Sequence, residues 1–396
     1  MLPDGLSENM PHLLVDLSAH GYGHVTQTAP VVNALARRIS GLRVTLRSAA
    51  PLALLRQRFH CDFQHVPAAL DFGMKMASAV EVQAEESAAA YRSYHADWDR
   101  KVTRAAEEMR ALRPDLLLAN VPYLSLAAAH VAGVRAVGMC CLNWADIYRH
   151  YCANDAASAA IHAQMLAAYN SAEIFLKVQP TMPMPDFINA REIGPIAQVG
   201  RNRRTQLILP SPACGITSDL TVVVGQPGRM ASSSIRGGGG EGCTLPEKII
   251  LVAMGGIDFR LPMERWPHIE GVRWLVPQAW NITRDDMIAF EPQGLSFSDL
   301  LASCDAVLTK PGYGTFAEAA CAGIPVLYVS RQDWPEEPYL VQWMEQNNVC
   351  REVGRDRLQS GDLAEVLRDL WAQPKLPLPI ASGAEEAAEI LAEMLL

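Results

Sequence analysis

The chain has 396 residues, enough for two or three domains that each bury a core. Apolar residues make up 49% of it and charged residues 19%, and the formal net charge of -9 argues against a general nucleic-acid binder, which needs a basic face. No apolar run reaches the roughly 18 residues that span a bilayer, and residues 1–11 carry acidic groups without a basic cluster ahead of an apolar core, so a cytoplasmic protein with neither transmembrane segment nor secretory signal is expected.

Residues 12–18 form a short apolar run that ends in a turn, His20-Gly21-Tyr22-Gly23-His24. A helical pattern follows over about 26–38, with Val31, Val32, Leu35 and Ala36 on one face, and 43–48 reads as the next strand. Strand, glycine turn, helix, strand is the grammar of a parallel α/β sheet. It continues with one long helix over 87–112, a strand over 115–120, a helix over 124–132, a strand over 136–139, a helix over 157–172 and a strand over 173–178. This half closes near Pro195. Residues 201–246 break the rhythm with Pro210, Pro212, a serine run and four consecutive glycines at 237–240, and read as a linker with an insertion. The same grammar restarts with a buried strand over 248–253, followed by Met254-Gly255-Gly256. Strands over 272–276, 306–309 and 325–329 and helices over 298–303 and 315–322 come next, and an amphipathic helix over about 383–396 closes the chain. Two α/β units imply a cleft, and ligands of such sheets sit at the carboxyl ends of the strands. The expected domains are therefore 1–200, a linker over 201–246, 247–380, and a final helix over 381–396.

The strongest local motif is Lys310-Pro311-Gly312-Tyr313-Gly314-Thr315, with Glu318 after it. A strand feeds a glycine turn that opens a helix, so free backbone N–H groups and a partial positive charge face whatever approaches. Thr315 can cap the helix or bond a phosphate oxygen. Glu318 fits either a capping box with Thr315 or bonds to ribose hydroxyls. No Lys-Ser or Lys-Thr pair follows these glycines, so this is not a Walker A loop. Gly255 and Gly256 repeat the logic at another strand end. In the first half, His20 and His24 bracket Gly21, Tyr22 and Gly23 at a strand end, where a histidine faces the cleft with a pKa suited to proton transfer. Asp97-Trp98-Asp99 falls inside a predicted helix and reads as a solvated face, so no metal is proposed. Three arginines within 201–204 read as a solvated cluster in preference to a phosphate clamp. The nine cysteines are scattered without a Cys-x-x-Cys pair and are expected to be reduced.

Residues 308–337 resemble the donor-binding region of GT-B glycosyltransferases, which include the peptidoglycan N-acetylglucosaminyltransferase family and the plant UDP-glycosyltransferases. A closer resemblance is to the glycosyltransferase-like N-terminal region of plant arabinokinases and its free-standing bacterial relatives. It rests on His20 to His24, on Asn143-Trp144-Ala145-Asp146-Ile147-Tyr148, on Pro183-Met184-Pro185-Asp186-Phe187, on Lys310 to Thr315 and on Glu336-Glu337-Pro338. It covers most of residues 12–360 and stops short of any sugar-kinase domain, so kinase activity is not expected. The resemblance implies an α/β GT-B fold, two Rossmann-like parallel-sheet domains facing each other across a cleft, with an acceptor domain first and a nucleotide-sugar domain second. Gly255, Gly256, Lys310, Gly312, Tyr313, Gly314 and Thr315 would surround the donor diphosphate. Glu318 would hold the ribose, and Asp333, Glu336 and Glu337 would lie near the donor sugar. His24 would be catalytic, across the cleft near the anomeric carbon or the leaving phosphate, either as general base on the acceptor or orienting it through a neighbour, and the last helix would cross back onto the first domain.

The expected activity is transfer of a sugar from a nucleotide-sugar, UDP-linked by family weight, to a hydroxyl acceptor with inversion and without a metal or other cofactor. Two alternatives stand beside it: a nucleotide-sugar epimerase or hydrolase on the same fold, and a catalytically silent nucleotide-sugar-binding partner protein.

Overall fold

A computed structural model of the chain describes residues 10–78, 81–152, 156–207, 248–255, 260–331 and 333–396. The first half alternates β1 (His12–Leu17), α1 (Gly23–Arg38), β2 (Arg43–Arg47), α2 (Leu52–Arg58) and β3 (Gln64–Val66). A short antiparallel pair follows, β4 (Met76–Ser78) with β5 (Glu81–Val82). Then come α3 (Ala84–His95), α4 (Trp98–Leu112), β6 (Leu116–Asn120), α5 (Tyr123–Ala132), β7 (Arg135–Cys140), α6 (Trp144–Cys152), α7 (Ala156–Asn170), β8 (Ile174–Val178) and β9 (Ala190–Ile193). Seven strands make one parallel sheet in the order β3-β2-β1-β6-β7-β8-β9. β1 and β6 are buried throughout, as the near-continuous apolar runs of a two-sided parallel sheet require.

The second half holds β10 (Lys248–Ala253), β11 (Val272–Val276), β12 (Met287–Ala289), α8 (Phe297–Ala302), β13 (Ala306–Thr309), α9 (Tyr313–Ala322), β14 (Val326–Tyr328), α10 (Glu337–Asn347), β15 (Cys350–Glu352), α11 (Arg355–Ser360), α12 (Ala364–Ala372) and α13 (Gly383–Leu395). Its six strands run parallel in the order β12-β11-β10-β13-β14-β15. Both sheets reverse strand order once, between β1 and β6 and between β10 and β13. Loops leaving the carboxyl ends on either side of such a reversal diverge and open a crevice.

The helix expected over 87–112 is two helices. Asp97 leaves helical geometry (φ -120°, ψ 41°). The break lets His95 and Trp98, both buried, stack at 4.8 Å between ring centres. α13 returns to the first half and packs on α1 and β9. Arg37 and Arg38 share Glu385 at 2.8 and 2.9 Å, although these exposed pairs contribute little to stability. One apolar cluster runs from the first sheet through Tyr313 and Phe316 of α9 to Ala387 and Leu391 of α13, so the halves pack through a shared core. Most of the predicted linker, and Gly256, lie outside the described residues. Among the described residues no helix is long and apolar enough to cross a membrane.

Candidate active site

The two strand reversals bring together the turn after β1, the carboxyl ends of β6 and β7, and the turns after β10 and β13. His24 sits in the first turn of α1 and is buried. Its Nδ1 lies 2.9 Å from Oδ1 of Asn120, the last residue of β6. The Asn120 amide is itself oriented, because Nδ2 donates to Gln27 Oε1 (3.1 Å) and Thr28 Oγ1 (3.0 Å). Oδ1 therefore faces the imidazole. An acceptor oxygen there requires the hydrogen on Nδ1, which leaves the Nε2 lone pair free to take a proton. Cys140, the last residue of β7, places Sγ 3.7 Å from the same Nδ1. Burial alone would lower the His24 pKa, but the Cys140 sulfur and the Asn120 oxygen outweigh it and raise it. The Cys140 thiol moves the opposite way: burial resists ionisation, yet Cys141 and His24 bring it below the usual thiol value.

His20 occupies the turn before α1, where Gly21 takes φ +81°. Its ring stands edge-on to Trp144 at 5.1 Å and stacks with Trp334 of the second half at 6.3 Å. Burial, then the neighbouring His24 and Lys310, lower its pKa to about 3, so it is neutral at ordinary pH. Asp71 completes this side, accepting from Ser18 Oγ (2.7 Å) and Trp144 Nε1 (2.9 Å). Burial raises its pKa. Tyr22, 45% exposed, caps α1 through its backbone and turns its ring to solvent, and Gly23 begins the helix.

On the facing side, Gly255 at the end of β10 takes φ +84°, and a Cβ there would lie 3.2 Å from Cε of Lys310, at the end of β13. Burial, then the nearby Arg331, lower the Lys310 pKa to about 7. Gly312 caps α9 without a side-chain cap, and a Cβ there would meet only the Lys310 carbonyl oxygen, at 3.8 Å. Thr315 lies in the first turn. The cap is Gly312, so the capping box between Thr315 and Glu318 does not form.

Several predicted ligand residues spend their side chains on the other half of the protein. A Cβ on Gly314 would meet Thr26 Oγ1 of α1 at 2.5 Å, so this glycine lets two helices touch. The Tyr313 hydroxyl accepts from Ile196 N (2.9 Å) and donates to Gln179 O (2.9 Å). Glu318 is buried with Oε1 2.6 Å from Arg58 Nη1, while Oε2 has no partner among the described residues. Burial raises its pKa against the opposing pull of Arg58. Glu336 accepts from Cys141 Sγ (2.9 Å) and Trp334 Nε1 (3.0 Å). Glu337 accepts from the Arg331 backbone at 3.0 Å. Asp333 is exposed and reaches His150 Nε2 at 2.8 Å.

Asn120, Cys140, Asp71, Arg58 and Arg331 were missed by sequence reasoning. Asn120 and Cys140 end their strands, and that position was the signal available. Asp97 and Asp99 are exposed at the start of α4, Asp97 pairing with Arg100. Arg204 pairs with Asp305 at 2.5 Å, so it is less free than a solvated cluster implies. Among the described residues one group could hold a cation, His268, Asp285 and Asp286 beside β12, but Arg284 already binds Asp286 at 2.8 and 2.9 Å.

No family model matches the chain. It is 25% identical over 397 aligned residues to L-arabinokinase of Arabidopsis thaliana, covering 98% of this chain and 35% of that protein. The chain thus spans about a third of the length of the curated relative it matches. Solved structures with a similar fold include the calicheamicin glycosyltransferase CalG4, with a TM-score of 0.55, 16% identity, and 98% of this chain and 94% of that one covered. UGT89C1 of Arabidopsis thaliana gives a TM-score of 0.57 at 14% identity, with 98% and 100% covered. Glycosyltransferase VinC, solved with dTDP, gives 0.50 at 14% identity, with 97% and 95% covered. Two parallel sheets that reverse at facing crevices, matched over nearly the whole chain by these enzymes, give this protein the GT-B fold.

Proposed function

We propose that the protein is a glycosyltransferase that moves a sugar from a nucleoside diphosphate to a hydroxyl of an acceptor bound by the first half. One observation carries the reading: His20, in the same turn as His24, stacks on Trp334 of the second half at 6.3 Å and lies near Lys310, which itself adjoins Gly255. The acceptor O–H gives its proton to Nε2 of His24, and its oxygen forms the new bond to the anomeric carbon. The bond from that carbon to the diphosphate breaks, and the electron pair leaves with the phosphate. Lys310 and the first N–H groups of α9 stabilise that charge, so the step as proposed requires no metal. A single displacement inverts the anomeric centre. UDP is the first base to test and dTDP the second, since VinC was solved with dTDP.

One observation favours a second reading. Glu318 and Glu336, both expected to meet the donor, are instead partnered by Arg58 and Cys141 of the first half. A catalytically silent nucleotide-sugar-binding partner protein retains such contacts and predicts saturable binding without turnover. A thermal-shift screen against UDP-, dTDP-, GDP- and ADP-sugars, followed by product analysis, separates the two. A ligand that binds only the native state raises the melting temperature. The transferase reading expects one responsive nucleotide class, and turnover that falls at least a hundredfold in His24→Ala while binding persists. Binding without turnover on any acceptor supports the silent reading. Full turnover in a folded His24→Ala removes the base assignment.

A further inference from the structure

A buried histidine that takes a proton in mid-reaction becomes a cation in a dry pocket, and such a charge requires an opposing one. Asn120 fixes the tautomer of His24 but is neutral, so it cannot provide that charge. The groups facing His24 are His20 from its own turn, Asp71 from the loop after β3, and Cys140 from β7 with its neighbour Cys141. His20 is neutral, and Asp71 acts on His24 only through space, because its two oxygens contact Ser18 and Trp144 and not the imidazole. The Cys140 sulfur lies 3.7 Å from Nδ1, and the residue is fully buried.

We propose that Cys140 is a positioning residue for His24, seating the imidazole between its sulfur and the Asn120 amide and supplying the negative charge that Asn120 lacks. The proposal rests on His24 being the base of the reading above. In the base-competent form Cys140 is a thiolate and His24 is neutral. The acceptor proton passes to Nε2 and leaves an imidazolium beside the thiolate, the new C–O bond forms, the bond to the diphosphate breaks, and the imidazolium later releases its proton to solvent. The raised proton affinity of the imidazole makes it a stronger base and moves its working range to alkaline pH. The acid limb of kcat/KM should therefore lie above the ordinary histidine midpoint of about 6.5.

The test is a histidine-selective NMR titration of the full chain, with the His24 signal assigned by its loss in His24→Gln. Cys140→Ser keeps the volume but is not ionised at these pH values. It is expected to lower the His24 midpoint by at least about one pH unit, a tenfold fall in proton affinity. The acid limb of kcat/KM should move by the same amount. Adding Asn120→Asp to Cys140→Ser should restore the midpoint by placing a carboxylate against Nδ1. An unchanged midpoint in Cys140→Ser, or a full shift in Asp71→Asn instead, overturns the proposal. Should Cys140→Ser fail to fold, the wild-type thiolate absorbance near 240 nm decides, because ordinary thiols titrate near about 8.5. A step with its midpoint below pH 7.5 is expected, and its absence overturns the proposal. The NMR titration needs no substrate, so a shifted midpoint in a protein without turnover would sink the transferase reading and leave the Cys140–His24 coupling standing.

Discussion

Replacing Arg58 with methionine removes the guanidinium from Glu318, whose side chain is 2% exposed and whose second oxygen is already unpartnered. Breaking a buried pair by deleting one member costs about 3–5 kcal/mol when the remaining charge persists. Glu318 has an escape, because burial raises its pKa and, without the opposing pull of Arg58, lets it bind a proton instead. At about 1.4 kcal/mol per pH unit, holding it neutral at pH 7 costs roughly 4 kcal/mol relative to an ionised carboxyl in water. The cheaper route wins near neutrality. The folded-state pKa is then raised above the unfolded value of about 4.3, so the folded protein keeps a proton that the unfolded chain has released. Stability is fully present below that unfolded value and is lost as the pH rises toward the folded one. Urea unfolding followed by tryptophan fluorescence should show Arg58→Met losing about 1 kcal/mol at pH 5 and about 4–5 kcal/mol at pH 8. Arg58→Met with Glu318→Gln should show no such pH dependence. Equal losses at both pH values, or the same slope in the double variant, would refute the picture of Glu318 as a stranded buried acid.

Gly314→Ala should lower stability by about 1–3 kcal/mol through the clash with Thr26, although alanine gains about 1 kcal/mol in helix propensity. Thr26→Ala should recover part of that loss in a thermal melt, and an unaltered melting temperature in Gly314→Ala would contradict the close helix contact. Tyr313→Phe leaves the Ile196 N–H without its oxygen and should cost about 1–3 kcal/mol, again read by melting. Lys310, lowered to about 7, should make nucleotide-sugar affinity greatest at acid pH and weaker as the pH rises through that value. Calorimetric titrations should show roughly a tenfold decline between pH 6 and pH 8, and a flat profile would remove Lys310 from the diphosphate.

The alternation of apolar runs with glycine turns made the two parallel sheets legible, because strands buried on both faces cannot hide their composition. The turn after β1 and the turn after β13 were legible for the same reason. The break at Asp97 was not, since both flanking segments carry helical periodicity and only the stacking of His95 on Trp98 separates them. Glycine and carboxylate motifs gave positions without partners. Gly314 reads the same in sequence whether its bare Cα meets a phosphate or Thr26, and Glu318 reads the same whether it awaits a ribose or holds Arg58, 260 residues away. Asn120 and Cys140 come together only because β6 and β7 are neighbours in the sheet.

Among the described residues the chain passes between its halves after Gly194 and again before Gly383, and the two passages touch. The N–H of Gly383 bonds the carbonyl of Pro195 at 3.1 Å, and a Cβ on Gly194 would lie 2.0 Å from Ser382 Oγ. On the outgoing crossing, a Cβ on Gly200 would lie 2.0 Å from the Ser298 carbonyl. The strap leaving the first half and the strap returning to it are thus clasped side by side. Bare glycine backbone is what lets the two straps lie this close. A methyl group at 194 or 383 would wedge the straps apart and set the halves to a new angle while every residue lining the cleft stayed the same.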